Sequence, residues 1–239
     1  MNRILISSLV GTAAAAALVA ATVAPANANT TTPTPAPKTT HTLASVQAAG
    51  ASATSKRETA LATAISKLDG AKGVSSADKS TLLGRLNDDL AGMKTVAAKI
   101  AADTTLTAAT ADFRSIFSTY RVFAVTIPQT RVVAGVERAT SMGIPNLTAA
   151  ETRLAAALAG KDASKSTAAL QADLADMKTQ TAAANSALSG VAAKALAITP
   201  AEFNANKTVV KSIRTSVKSA IADLKKGRSD RKAIVTALR

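Results

Sequence analysis

Alanine occupies about a quarter of the 239 positions of this chain, whereas the β-branched and aromatic runs that strands need are nearly missing. Alanine is the best helix former because it loses no side-chain entropy when the backbone becomes helical. Glycine and proline are few, and they stand at spacings typical of helix ends rather than of hairpin turns. The sequence therefore predicts an all-α fold. With no cysteine in the chain, helix packing alone must hold that fold together.

The first 28 residues have the organisation of a cleavable export signal. A cationic start containing Arg3 precedes an apolar, Ala-rich segment from Ile4 to Val23. Ala26-Asn27-Ala28 then supplies the small-x-small pattern that signal peptidases recognise. We expect residues 1–28 to be a signal peptide cleaved after Ala28, and the mature protein to be secreted or held in the cell envelope.

Composition divides the rest of the chain into two parts. Residues 29–41 read NTTTPTPAPKTTH, a Thr/Pro tract with no apolar groups to bury, and predict a disordered linker. Residues 42–239 carry helical periodicity throughout and predict a single helical-bundle domain with a basic C-terminal helix. No run in this part approaches the roughly 20 apolar residues that a membrane span needs.

Cap and breaker residues predict where the first helices begin and end. A first helix is expected over Leu43–Asp69, and a second from the cap at Ser75. A third is expected over Leu106–Met142, and Pro128 should kink or split it because proline removes a backbone donor. Ile144-Pro145-Asn146 should then break the chain, before Thr148 and Glu151 form a capping box at the start of a short helix ending at Ala159.

The later helices show continuous apolar seams. One seam consists of Leu170, Leu174, Met177, Thr181, Ala184, Leu188, Val191, Ala195 and Ile198. Thr199-Pro200-Ala201-Glu202 combines a capping box with proline at the first helical position, so a new helix should begin there. Its seam should run through Val210 and Leu224 and end before Gly227. Short loops between long helices predict an elongated up-and-down antiparallel helical bundle with coiled-coil-like packing.

Four of the five aromatic residues cluster in the third expected helix, as Phe113, Phe117, Tyr120 and Phe123. In a bundle built largely on alanine, this cluster is expected to be the main core, because it offers the largest apolar area for burial. The alternative is an apolar pocket beside Pro128, with Arg121 or Arg131 at its mouth, that carries a small apolar ligand.

Positive charge is concentrated at the carboxyl end of a chain whose net charge is +14. Between Asn204 and Arg239 ten basic residues face only two acidic ones, Asp223 and Asp230. We predict an anion-binding surface there, formed by Lys207, Lys211, Arg214, Lys218, Lys225, Lys226, Arg228, Arg231 and Lys232. The expected partners are an anionic cell-wall polymer or a membrane surface. Sequence-specific nucleic-acid binding is not expected, because no aromatic residues interleave with the cations. The competing interpretation is an ordinary solvated helix face.

The chain contains few of the residue types that enzymes use for catalysis. His41 is the only histidine and falls in the expected linker, so neither a Ser-His-acid triad nor a usual zinc site is available. The carboxylate pairs Asp88–Asp89 and Asp173–Asp176 could in principle act as a glycosidase pair, but they are expected to be solvated. We therefore predict no catalytic residues, no metal and no cofactor.

Three segments carry a resemblance to a protein group: TLLGRLNDDLAGMKTVAAKIAADTTL, FRSIFSTYRVF and ITPAEFNANKTVVKSIRTSVKSAIADLKK. They resemble uncharacterised exported, alanine-rich, all-helical proteins of high-GC Gram-positive (actinobacterial) bacteria. The resemblance implies a helical protein of the envelope or the exterior. The expected function is non-enzymatic: a structural or interaction role, with adhesion to anionic polymers through the C-terminal helix.

Overall fold

The computed structural model describes residues 41–239, which fall within one compact unit, Thr40–Arg239. The expected signal peptide and all of the expected linker except His41 lie outside the described residues. This part of the chain contains nine α-helices and no strand, which confirms the all-α helical bundle. The helices are α1 (Leu43–Asp69), α2 (Ser76–Ala102), α3 (Leu106–Ser115), α4 (Thr126–Arg138), α5 (Ile144–Ala159), α6 (Ala168–Leu188), α7 (Val191–Ala197), α8 (Pro200–Ala205) and α9 (Val209–Ala237).

The first two helices form an antiparallel pair whose starts are fixed by side-chain caps. The hydroxyl groups of Thr42 and Ser75 accept hydrogen bonds from backbone amides three residues later, at 3.2 and 3.1 Å. Near the Thr42 cap, the Gln47 Nε2 donates to the carbonyl oxygens of Ile100 (3.2 Å) and Asp103 (3.0 Å). The start of α1 therefore lies beside the end of α2.

The second long antiparallel pair joins α6 to α9, two helices that are not neighbours in the chain. The Lys165 Nζ, just before α6, donates to the carbonyl of Leu238 at the end of α9 (2.8 Å). Further along, Asp176 of α6 forms an ion pair with Lys226. Gly227 is buried in this contact, and a Cβ placed there would lie at an ordinary van der Waals distance, 3.7 Å, from the Met177 carbonyl oxygen. The helix expected to begin at Thr199 and end before Gly227 is wrong at two points: it is divided into α8 and α9, and α9 continues through Gly227 to Ala237 because packing on α6 holds the backbone helical there.

The third expected helix is divided, but not at Pro128. Helix α3 continues into a π-helical turn, Ile116–Tyr120, and stops at Arg121, whose backbone is left-handed with φ 49°. Pro128 lies in the first turn of α4, where its missing amide has no intrahelical partner to lose, so it causes no kink there. The prediction of a kink or split at Pro128 is therefore wrong in position by several residues.

The expected break at Ile144-Pro145-Asn146 is also absent. A π-helical turn over Ala139–Gly143 leads directly into α5, with Pro145 in the first turn of that helix. The Thr148 hydroxyl donates to the Ile144 carbonyl within α5 (3.2 Å), and Glu151 is buried, so these two residues form no capping box. The second expected box is confirmed: Glu202 N donates to Thr199 Oγ1 (3.1 Å), and Thr199 N donates to Glu202 Oε2 (2.8 Å).

A buried polar network supplies hydrogen bonds to the carbonyl groups at the C-terminus of α7. The Gln129 Nε2 of α4 donates to the carbonyls of Ala195 (2.7 Å) and Ile198 (2.8 Å). Arg85 of α2 donates to the Gln129 side-chain oxygen (3.0 Å) and to the Leu196 carbonyl (2.7 Å). Carbonyl groups at a helix C-terminus have no intrahelical partner, and here two side chains from other helices supply the missing donors.

One apolar cluster extends from α1 to α9, and aliphatic residues dominate it. The predicted seam of α6 and α7 is buried at eight of its nine positions, from Leu170 to Ala195, and Ile198 is half-buried. The expected aromatic core is wrong for Phe117 and Phe123, which are 41 and 49% exposed. Ile116 and Val122, which flank them in the chain, are fully buried in their place. None of the helices in residues 41–239 has the length and hydropathy that a membrane span requires.

Candidate anion-binding face and apolar grooves

Five basic residues of α9 share one face of the helix. Lys211, Arg214, Lys218, Lys225 and Lys232 follow one another at intervals of three, four, seven and seven residues, which return to the same side at 3.6 residues per turn. We call these five residues the α9 stripe. They span about 32 Å at 1.5 Å per residue. The buried positions of α9, Ile213, Ala220, Leu224, Gly227 and Ile234, face away from the stripe toward the core.

The α9 stripe is exposed along its whole length and carries no compensating charge. None of its five side chains makes an ion pair within 4.0 Å in the described part of the chain. The acidic residues of α9, Asp223 and Asp230, lie on another side of the helix, half-buried toward α6. The stripe therefore presents uncompensated positive charge to solvent.

Lys226 differs from the other predicted anion-binding residues because it is already paired. Its Nζ lies 2.5 Å from a carboxylate oxygen of Asp176 on α6. The hydrogen bond to Asp176 raises the pKa of Lys226, and the same contact lowers the pKa of Asp176. Nearby, burial raises the pKa of the Asp230 carboxyl. Lys226 therefore stands apart from the α9 stripe, because Asp176 offsets its charge.

The remaining predicted residues occupy other positions around the stripe. Lys207 is exposed just before α9 begins, and Arg231 is exposed near its end. The guanidinium of Arg228 reaches the junction between α4 and α5, where its Nη2 lies 4.0 Å from a Cβ placed on Gly143. The structure thus divides the nine predicted residues into a stripe, an ion-paired lysine, an arginine at a groove, and two flanking cations.

An apolar groove runs between α4 and α9 beside the stripe. One cavity of about 260 Å³ is lined by Val132, Val136, Val217, Ile221 and neighbouring aliphatic residues, with Arg131 at its edge. A second cavity of about 330 Å³ continues toward α5 and is lined by Arg138, Met142 and Arg228. The two cavities share Gly135 and Ala139, so they form one groove. We call it the α4–α9 groove.

A separate groove lies between α1 and α4, at the place where the sequence predicted a pocket. Its volume is about 400 Å³, and its lining includes Phe123, Ile127 and Pro128 together with Lys67 and Arg131. Arg121, the other cation expected at the mouth, lies elsewhere. Its Nε donates to the Asn204 side chain (2.7 Å), and its guanidinium lies 5.8 Å from the ring centroid of Phe203.

Comparisons with protein-family models, with curated proteins and with solved structures find no match for this chain.

One member of each carboxylate pair weighed for catalysis is engaged in another contact. Asp89 is half-buried and accepts a hydrogen bond from the Thr126 hydroxyl (2.5 Å), whereas Asp88 is exposed. Burial raises the pKa of Asp89 more than this hydrogen bond lowers it. Asp176 is paired with Lys226. In residues 41–239, no three histidine or acidic side chains are grouped so that they could hold a metal ion.

Sequence reasoning missed a buried arginine in contact with the aromatic cluster. The Arg57 side chain is 8% exposed, and its guanidinium carbon lies 4.5 Å from the ring centroid of Phe117 and 4.9 Å from that of Phe123. Its Nη1 donates to the Ala53 carbonyl (2.8 Å). Burial lowers the pKa of Arg57. No local signal marks this site, because Arg57 is about 60 positions from both rings, far outside the one- or two-turn reach of local patterns.

Proposed function

We propose that this chain is an exported, non-enzymatic protein that adheres to an anionic polymer of the cell envelope through the α9 stripe. The observation that supports the proposal is the alignment of five exposed cations over about 32 Å, none of them neutralised by a carboxylate within 4.0 Å in the described residues. A polyanion that follows this stripe releases its condensed counterions, which favours binding without any shaped pocket.

The surroundings of the stripe favour a polymer over a membrane surface. A helix that lies in a bilayer interface inserts an apolar face beside its basic one. The apolar face of α9 already packs against α6 and the rest of the core. The exposed uncharged positions between the cations of the stripe are small or polar, and a single large apolar side chain, Ile221, is exposed among them. Because no aromatic side chain interleaves with these cations, any nucleic acid would be bound through its phosphates alone.

The test compares two triple variants with the same change in net charge. Lys211→Gln, Lys218→Gln and Lys225→Gln remove three stripe cations, whereas Lys56→Gln, Lys94→Gln and Lys178→Gln remove three exposed lysines elsewhere. Glutamine and lysine have similar helix propensities, so both variants should fold. Sedimentation with purified cell walls, and binding to polyphosphate, are measured over a series of salt concentrations.

The stripe variant should lose most of its binding. Its plot of log affinity against log salt concentration should become shallower by about one for each phosphate contact removed. The control variant should bind nearly as the unmodified chain does. Equal losses in the two variants, or binding that survives strong salt, would contradict the proposal.

A second candidate function rests on the groove between α1 and α4. Its volume of about 400 Å³ lies within the range of small-molecule sites, and its lining is mostly apolar. This groove could carry a small apolar ligand beside Pro128. Fluorescence of the neutral probe N-phenyl-1-naphthylamine should then rise on binding and fall in an Ala64→Leu variant, which places extra carbon atoms in the groove. An unchanged signal in that variant would exclude this site.

A further inference from the structure

The α4–α9 groove has two apolar side chains that a folded chain would ordinarily cover. Ile221 is 61% exposed in the middle of α9, and Met142 is 38% exposed where α4 leads into α5. Both line the groove, which continues past Val132 to a small third cavity that reaches Val210 and Arg214. The apolar surface is therefore continuous along the groove rather than scattered over the protein.

Arginine side chains border this apolar surface on both sides. Arg131 and Arg138 come from α4, and Arg214 and Arg228 come from α9. No aspartate or glutamate lines any of the three cavities. The guanidinium group is weakly hydrated and binds carboxylates in a bidentate way, which makes arginine the preferred cation at buried interfaces.

The length of the α4–α9 groove and the positions of its arginines limit the kinds of partner that could bind there. Arg214 and Arg228 are 14 residues apart, so α9 offers about 21 Å of groove at 1.5 Å per residue. That length matches a helix of about 14 residues. Four arginines spaced along the groove can bind several anionic groups of one partner. A lipid with one anionic headgroup would contact the arginines at only one end of the groove. The geometry points to an acidic amphipathic helix from another protein, with its apolar face in the groove and its carboxylates on the arginines.

The chain itself lacks a segment of this kind. Residues 1–40 contain no aspartate or glutamate, so they cannot pair with the four arginines. A second copy would bring a net charge of +14 against another +14. The occupant is therefore an acidic helix of a different protein. Arg214 belongs both to the α9 stripe and to the border of the groove. The inference nevertheless goes beyond adhesion to a polymer, because the four lysines of the stripe do not line the groove.

The test uses the full chain and a defined probe. The probe is an 18-residue peptide with leucines at i, i+3, i+4 and i+7 positions and glutamates on both flanks of the leucine face. Its scrambled version has the same composition without a continuous apolar face, and polyglutamate of equal length carries charge alone. Binding is measured by fluorescence anisotropy at physiological salt, and helix formation in the peptide by circular dichroism.

The variants place a carboxylate in the groove or outside it. Ile221→Glu introduces a negative charge among the arginines at an exposed helical position, so the fold should persist. Leu106→Glu is the matched control, since Leu106 is 40% exposed in the first turn of α3, away from the groove. Gly135→Leu is a second groove variant: Gly135 is exposed, a Cβ there meets nothing within 4 Å, and leucine favours the helix.

The amphipathic peptide should bind and become helical. Ile221→Glu and Gly135→Leu should each weaken it by about tenfold or more, as expected for the loss of a central contact, and Leu106→Glu should leave its affinity unchanged. Equal binding of the scrambled peptide, or equal affinity for the Ile221→Glu and control proteins, would overturn the inference. Vesicles containing phosphatidylglycerol are tested in parallel. Vesicle binding that depends on Ile221, without peptide binding, would assign the groove to a membrane instead.

Discussion

Arg57 is the only buried basic side chain in the described part of the chain, and its position explains why the aromatic cluster is not the core. The guanidinium lies against the faces of two phenylalanine rings, where the negative face of each ring attracts the cation. The two rings cover the buried guanidinium, so they lie on its outer side rather than in the interior. Phe117 and Phe123 are accordingly half exposed, and aliphatic residues form the interior.

Two glycines of α2 meet very different surroundings, which leads to opposite expectations for the same substitution. A Cβ at Gly92 would overlap the Tyr120 ring, whereas a Cβ at Gly84 meets nothing within 4 Å. Gly84→Ala should raise the free energy of unfolding by up to about 1 kcal/mol, because alanine favours the helix. Gly92→Ala should lower it by about 1–2 kcal/mol, since the overlap with Tyr120 outweighs the same gain. Chemical denaturation followed by circular dichroism measures both, and equal effects would contradict the packing of Tyr120 on α2.

Asp89 should make stability depend on pH. Its pKa is raised, mainly by burial, so the charged form costs stability at neutral pH, and that cost disappears as the pH falls through the raised pKa. Asp89→Asn keeps an acceptor for the Thr126 hydroxyl and removes the charge. The unmodified chain should therefore gain stability relative to Asp89→Asn as the pH falls from about 7 to about 4.

Urea unfolding of both proteins across this pH range provides the measurement. Asp88→Asn is the control, because it removes a neighbouring charge but leaves Asp89 half-buried. Asp88→Asn should retain most of the gain in stability on acidification that the unmodified chain shows relative to Asp89→Asn. A relative loss of stability on acidification would show that Asp89 is stabilising when charged.

At the scale of single elements, helix starts were predicted better than helix ends. The caps at Ser75 and Thr199 were readable because a capping residue bonds to an amide only three positions away. Pro128 and Gly227 were misread because each residue type has two roles: either can end a helix, yet proline also fits a first turn and glycine is also tolerated inside a helix that packing supports. Which role applies depends on the helix that packs against the residue, and the local sequence does not specify that helix.

The end of α7 should depend on one glutamine from another helix. Gln129 is 7% exposed and donates to carbonyls that α7 leaves without partners, while its oxygen accepts from Arg85. Gln129→Leu keeps the approximate volume but leaves these groups unsatisfied in the interior. It should lower the free energy of unfolding by about 2–4 kcal/mol. The control is Gln171→Leu, which removes only an exposed bond to Ser166 and should cost less than about 0.5 kcal/mol. Similar values in the two variants would show that the network contributes little.

At the scale of the whole described molecule, the all-α bundle followed from composition and periodicity, whereas the pairing of its helices did not. The buried positions of α6 follow the predicted seam residue by residue. That seam could not show that α6 packs against α9, from which α7 and α8 separate it in the chain. An amphipathic face does not identify the helix that it packs against. The basic positions of α9 were likewise visible in the sequence, but the pairing of Lys226 with Asp176 depends on that same contact between distant segments.

Because one apolar cluster joins α1 to α9, these helices should unfold together. Leu61 of α1 is fully buried, and Leu61→Ala should lower the free energy of unfolding by about 2–5 kcal/mol. Hydrogen exchange should then show an equal loss of protection in α2 and α9, although α2 packs along α1 and α9 does not. Leu106→Ala, at a 40% exposed site, is the control and should change little. If protection were lost only in α1 and α2, the cluster would consist of two parts that unfold independently.

The contact between α6 and α9 also sets an order of events during synthesis. Helix α6 lacks its most extensive packing partner until the 29-residue helix α9 has left the ribosome, because α6 packs more extensively on α9 than on α5 or α7. The nascent chain therefore cannot complete this part of its core before α9 emerges. Under the export that we propose, this late packing step keeps the chain unfolded for passage through a translocation channel.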